Sequence, residues 1–182
     1  IGEEQRLHLL LKKRYSDGCE TPVDKVHLRH MRQFMEWQES NPHSAILREF
    51  SLFRINDSSR LMSGRSCYID SPIADTGLLT MFDKCDLMHQ RGKLWDGYKS
   101  LKGSQFLDFA TDFGVMASLD VEQCSTSDHP RQVSLWESYC TKGVRWTSTA
   151  IDQDYTIPEL DALLEARDID VSKLIWDAMR SA

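Results

Sequence analysis

The sequence predicts an α+β fold, predominantly helical, with a small antiparallel sheet at about residues 51–70 and a C-terminal helical hairpin. Three observations predict it. Apolar residues recur at helical spacing through much of the 182-residue chain. The run FSLFRINDSSRLMSGRSCYIDSPIADTGL, which starts at Phe50, alternates short β-prone pieces with turn clusters. The last 30 or so residues hold two capped apolar stripes separated by Arg167-Asp168.

Taken in order, Glu3 to Tyr15 places Leu7, Leu10 and Leu11 on one helical face and stops at Ser16-Asp17-Gly18. Thr21 then supplies a helix cap, Pro22 a first-turn proline and Asp24 an acid three residues on. Val23, Val26, Met31, Phe34 and Met35 follow at helical spacing as far as Ser40-Asn41-Pro42. A helical turn fits Ser44 to Glu49. Ser51 to Ile55 reads as a strand, Asn56 to Ser59 as a turn, Arg60 to Met62 as a second strand, and a third extended piece ends at Ile69-Asp70-Ser71-Pro72.

Leu78 to Met88 and Phe106 to Phe113 read as helices. Between them, Gly92, Gly97 and Gly103 punctuate a packed, irregular or short helical connection containing Leu94, Trp95, Tyr98 and Leu101. Ser125 to Pro130 is a polar loop, dividing a helical α+β part with the small sheet (1–124) from a C-terminal part (125–182) expected to pack on it. Gly143 to Ala150 suits a strand. Thr156-Ile157-Pro158-Glu159 is a capping-box arrangement opening a helix with Ile157, Leu160, Leu163 and Leu164 on one face. Asp170 caps the next, whose apolar face is Val171, Leu174, Ile175, Ala178 and Met179.

Composition removes several functions. No apolar run approaches the roughly 18 residues of a membrane span, and the first residues lack a secretory cleavage pattern. The five cysteines (Cys19, Cys67, Cys85, Cys124, Cys140) are odd in number, scattered and without a Cys-x-x-Cys pair. The expectation is reduced thiols and a cytoplasmic setting. Asn56-Asp57-Ser58 matches a glycosylation acceptor only by turn composition. Net charge is −6, and the acidity collects after Ile151, where Asp152, Asp154, Glu159, Asp161, Glu165, Asp168, Asp170 and Asp177 face only Arg167, Lys173 and Arg180. Nucleic-acid binding is disfavoured, because Lys12-Lys13-Arg14 and Arg29 with Arg32 are too short to make a basic stripe.

Chemistry-bearing motifs are weak. Asp112-Phe113-Gly114 matches the magnesium-holding tripeptide of kinases, yet the companion loops are absent and Gly114 suits a helix C-cap. Ala74-Asp75-Thr76-Gly77 matches the aspartic-protease triplet, but Ser71-Pro72-Ile73 breaks the strand such a site needs, so Asp75 or Thr76 reads as a helix cap. Cys85 with His89, and His27 with His30, are each half a metal site and fit surface or half-buried positions; no metal and no cofactor is expected. Pairing of His129 with Cys67, Cys124 or Cys140 as a nucleophile has no spacing to support it. Neither common nucleotide cradle is encoded. The five tryptophans (Trp37, Trp95, Trp136, Trp146, Trp176) read as core or rim packing. Trp95, Tyr98 and Trp136 are the candidate interaction surface.

Three stretches, HLRHMRQFMEWQESNP, SLFRINDSSRLMSGRSCYIDSPIADTGL and DYTIPELDALLEARDIDVSKLIWDAMRS, resemble the region downstream of the ATP-binding domain in large, mostly bacterial proteins related to the N-terminal part of sacsin. The features that carry the resemblance are Tyr68-Ile69-Asp70-Ser71-Pro72 with Thr76-Gly77-Leu78, the helix FLDFATDFG from Phe106, and Asp154-Tyr155-Thr156-Ile157-Pro158. The resemblance implies a GHKL-type (Hsp90-like) ATP-binding domain ahead of this segment. The acidic and Gly-rich ATP-site residues of that domain are not found in this sequence, so no ATP site carries over. A start at Ile1 accords with a piece of a longer polypeptide.

The function expected is a non-catalytic scaffold or transmission segment of a larger sacsin-like ATP-binding protein, whose partners are the rest of that polypeptide and other proteins, with neither nucleic acid nor membrane. The alternatives are a stand-alone peptide- or protein-binding module that uses the Trp95 to Leu101 region, and a hydrolase built on Asp70 and Asp75.

Overall fold

A computed structural model describes residues 2–16, 21–56, 60–85, 91–125, 153–157 and 160–181. It is predominantly helical α+β, with small sheets and a C-terminal helical pair. The chain divides into two compact units, Ile1–Ser118 and Leu119–Ala182. The division falls ahead of residue 124 because Glu122–Ser125 is a strand that pairs with Gln153–Thr156, which ties it to the second unit.

In the first unit, helix α1 (Glu3–Arg14) carries Glu3 and Glu4 in its first turn and Lys12, Lys13 and Arg14 in its last, matching the helix dipole at both ends. Leu11 is fully buried, and Leu7 and Leu10 pack on the core beside it. Helix α2 (Asp24–Ser40) starts three residues after Thr21. Its cap position is Val23, which is 71% exposed, so the capping role expected of Thr21 is not the one adopted. The helix buries His27, His30, Met31, Phe34 and Gln38, spaced i, i+3, i+4, i+7 and i+11. Burial of Met31 and Phe34 contributes about 2 kcal/mol each.

A 3-10 turn (Ile46–Glu49) leads into the antiparallel hairpin of β1 (Phe53–Arg54) and β2 (Leu61–Met62), with Phe53 opposite Met62. The third extended piece does not extend that hairpin. Strand β3 (Cys67–Tyr68) runs parallel to β4 (Gly92–Lys93) instead, and Ile55 bridges to Leu94, which joins the two ladders. The Gly64–Ser66 turn redirects the chain. A Cβ on Gly64 would stand 2.2 Å from the Phe113 carbonyl oxygen, so only glycine lets the turn approach that backbone. Parallel pairing requires a long crossover, here residues 69 to 91, which no local pattern in 51–70 could reveal.

That crossover contains helix α3 (Leu78–Lys84). Asp96 opens a 3-10 turn (Asp96–Ser100), where it accepts from Lys93 and from the Asn56 amide, and Asn56 Oδ1 accepts from the Asp96 N–H at 3.0 Å. Helix α4 (Gly103–Asp112) ends as expected at Asp112-Phe113-Gly114. Gly114 has φ +83°, its N–H donates to Thr111 O at 2.9 Å, and the Val115 N–H reaches Ala110 O at 3.0 Å, the paired bonds of a Schellman cap. The core runs from Leu11, Met31 and Phe34 through Leu52, Phe53 and Ile69 to Phe106, Phe109 and Val115.

In the second unit, β5 (Glu122–Ser125) and β6 (Gln153–Thr156) pair antiparallel, with Gln123 opposite Tyr155. Thr156 is therefore a strand residue, and the following helix α5 spans Leu160–Glu165. Helix α6 (Ile169–Ser181) follows after a turn in which Arg167 has φ +49°. Its cap is Asp168, not Asp170, because Asp168 Oδ1 accepts from the N–H groups of Asp170 (2.9 Å) and Val171 (3.2 Å). The strand expected at Gly143–Ala150 lies outside the described residues. Among the described residues no helix is long and apolar enough to cross a membrane.

Candidate functional site

Two arrangements concentrate side chains that chemistry or binding could use. The first is inside unit 1, where Tyr15 at the end of α1, His27 and His30 on α2, and Tyr98 on the 96–100 turn meet. Sequence reading placed the two histidines at or near the surface. They are buried, His27 completely, because they share the core-facing stripe of α2 with Met31 and Phe34.

Both phenol oxygens, both nitrogens of His27 and Nδ1 of His30 are paired within it, as burial demands. Tyr15 Oη lies 3.2 Å from His27 Nδ1 and 3.1 Å from His30 Nδ1. His27 Nε2 lies 2.6 Å from Tyr98 Oη, which also accepts the Arg54 backbone N–H at 2.8 Å. Tyr98 is buried, and its hydroxyl proton finds an acceptor in this cluster only if it goes to His27 Nε2. His27 is then the Nδ1–H tautomer, donating to Tyr15 Oη, which donates to His30 Nδ1. The chain has one direction, from the β1 backbone through both helices.

Electrostatics keep it neutral. Burial, with the charges of Arg54 and the neighbouring His30, pushes the His27 pKa down to about 4, against the upward pull of Asp24. Burial, with Arg29 and Arg14 nearby, also lowers that of His30. Burial raises both phenols above the ordinary tyrosine value. Arg54 covers the cluster's edge by stacking 4.6 Å from the Trp95 ring centre and pairing with Asp24 at 2.5 Å. This arrangement ties α1, α2, β1 and the 96–100 turn together, and it engages both ring nitrogens of His27 internally.

Trp95 is half-buried under Arg54, whereas Tyr98 is 1% exposed and cannot belong to an outward-facing surface. Its hydroxyl and its ring, stacked on Phe106 at 4.9 Å, are both used internally. Trp136 lies outside the described residues, as do Trp146, His89, His129 and Cys140. Asp70 is 4% exposed and spends both oxygens on backbone, Oδ1 on the Ser71 N–H and Oδ2 on the Leu79 N–H, each 2.5 Å. It anchors the start of α3 from outside the helix, while Thr76 Oγ1 accepts from Leu78 N–H at 3.3 Å and donates to Ile69 O. Asp75 is exposed. Cys67 donates its S–H to Ser63 O, and burial pushes its thiol up to about 12, so it is no nucleophile. Among the described residues no group of three or more His, Cys, Asp or Glu side chains is arranged to hold a metal ion.

The second arrangement is the outer face of α6. Trp176 is 69% and Ile169 82% exposed, against the core or rim packing expected of that tryptophan. At 100° per residue, Lys173, Trp176 and Arg180 fall within about 60° of arc around Ile169. Val171 and Ala178 fall on the opposite side, and Val171 is fully buried. The sequence reading missed this face; the signal for it was that Ile169 and Trp176 fall outside the Val171, Leu174, Ile175, Ala178 and Met179 stripe. No family model, curated protein or solved structure matches this chain.

Proposed function

We propose that this chain is a non-catalytic protein-interaction and transmission segment, working within a larger ATP-binding assembly of the kind its sequence resembles. The observation that carries the reading is the exposed Ile169–Trp176 face of α6. A large aromatic and a branched aliphatic side chain flanked by cations is the composition of an interface hot spot, and leaving both in water on a chain this polar has a cost. Of the two carboxylates that sequence offered for hydrolysis, Asp70 is buried and spends both oxygens on backbone N–H groups, which favours this reading over the Asp70/Asp75 hydrolase.

The test is site-specific photo-crosslinking in the cells that make the protein, with a photoreactive residue replacing Ile169 and, as control, exposed Lys25. Discrete protein adducts from position 169 and none from position 25 are expected. Equal labelling from the two positions, or none, would remove the support. ATP turnover by this chain alone that is abolished by Asp70→Asn at unchanged folding would revive the hydrolase.

A further inference from the structure

We infer that the outer face of α6 docks an acidic amphipathic helix of a partner protein, an inference that rests on the interaction reading above and names its chemistry. Ile169 and Trp176 are seven residues apart, as are Lys173 and Arg180, so apolar and basic positions repeat together, each about 10.5 Å along the axis. Half-buried Met179 and exposed Ser172 lie between them at the d-type positions of that heptad, which makes a seam of a, d and e positions about three turns long. Such a seam takes a helix, whose own apolar residues straddle the tryptophan and whose acidic residues meet the two cations.

Charge complementarity selects the acidic partner. From Leu160 to Ser181 the acids are Asp161, Glu165, Asp168, Asp170 and Asp177, against Arg167, Lys173 and Arg180. Two of those three cations sit on the seam. Arg180 has only a 3.8 Å contact with Asp177, with 73% of its side chain exposed, so it stays available. A membrane surface fits less well, because an anionic bilayer meets the whole acidic segment, whereas a single helix can present acids to the seam alone.

The probes are two 21-residue helical peptides with leucine at the a and d positions, one bearing glutamate and the other lysine at e and g, titrated calorimetrically into the full chain. The glutamate peptide is expected to bind roughly tenfold or more tightly than the lysine peptide. Trp176→Ala should weaken it by a further roughly tenfold, and the double change Lys173→Glu with Arg180→Glu should reverse the order of preference. Equal binding of the two peptides, no binding, or a preference unmoved by the charge reversal overturns the inference. So does Trp176-dependent binding to phosphatidylserine vesicles without peptide binding, or Trp176-dependent self-association in sedimentation. Crosslinks at position 169 that persist while the peptides show no charge preference would leave the interaction reading standing and remove the acidic partner. Loss of both removes the two together.

Discussion

Acidification should weaken unit 1 through His27. The imidazole titrates at about 4 in the folded protein against 6.5 when unfolded. The unfolded chain therefore binds the extra proton between these values. The stabilisation is complete above about pH 6.5, falls as pH drops, and levels off below about pH 4. The gap corresponds to about 3 kcal/mol in total and about 2 kcal/mol between pH 7 and pH 5, undiminished by solvent because the side chain is 0% exposed. The structural origin is specific. A protonated His27 would donate from both nitrogens, leaving the Tyr98 proton without its acceptor while Arg54 and His30 repel the new charge. The assay is urea unfolding followed by near-ultraviolet circular dichroism at pH 7 and pH 5, for the wild type and His27→Gln, which keeps an acceptor for Tyr98 and does not titrate. The wild type should lose about 2 kcal/mol more than the variant over that interval, because the substitution removes only the imidazole of His27. Parallel losses would refute the account of a buried neutral His27, as would an imidazole 15N spectrum with the proton on Nε2.

Further outcomes are expected of single substitutions. Tyr98→Phe removes the acceptor of the Arg54 N–H and the donor to His27 Nε2, so it should cost about 3 kcal/mol in chemical denaturation, more than its lost hydroxyl alone would suggest. Asp70→Asn should lower stability by about 1 kcal/mol, whereas exposed Asp75→Ala stays within about 0.5 kcal/mol; the reverse order would contradict the anchoring role of Asp70. Gly64→Ala drives a methyl against the Phe113 carbonyl and should lower the thermal midpoint by several degrees, corresponding to about 2 kcal/mol or more. An unchanged midpoint would mean that the turn can move away from α4.

Much of the architecture was determined by the sequence alone, because local physics decides it. The α1 stripe of Leu7, Leu10 and Leu11, the stop at Ser40-Asn41, the hairpin around Asn56, the Gly114 cap and the C-terminal helical pair all follow from periodicity and turn chemistry within a few residues. What lay beyond such reach was decided by tertiary structure. The pairing of β3 with β4 joins segments some 25 residues apart in sequence, and the capping of α3 by Asp70 crosses nine. The two histidines show the reason most clearly. Hydropathy ranks histidine as polar, yet His27 is buried because Tyr15, 12 residues before it, and Tyr98, 71 after it, converge on its two nitrogens. A residue's polarity is local, but whether that polarity is satisfied depends on partners that only the folded chain brings within hydrogen-bonding distance.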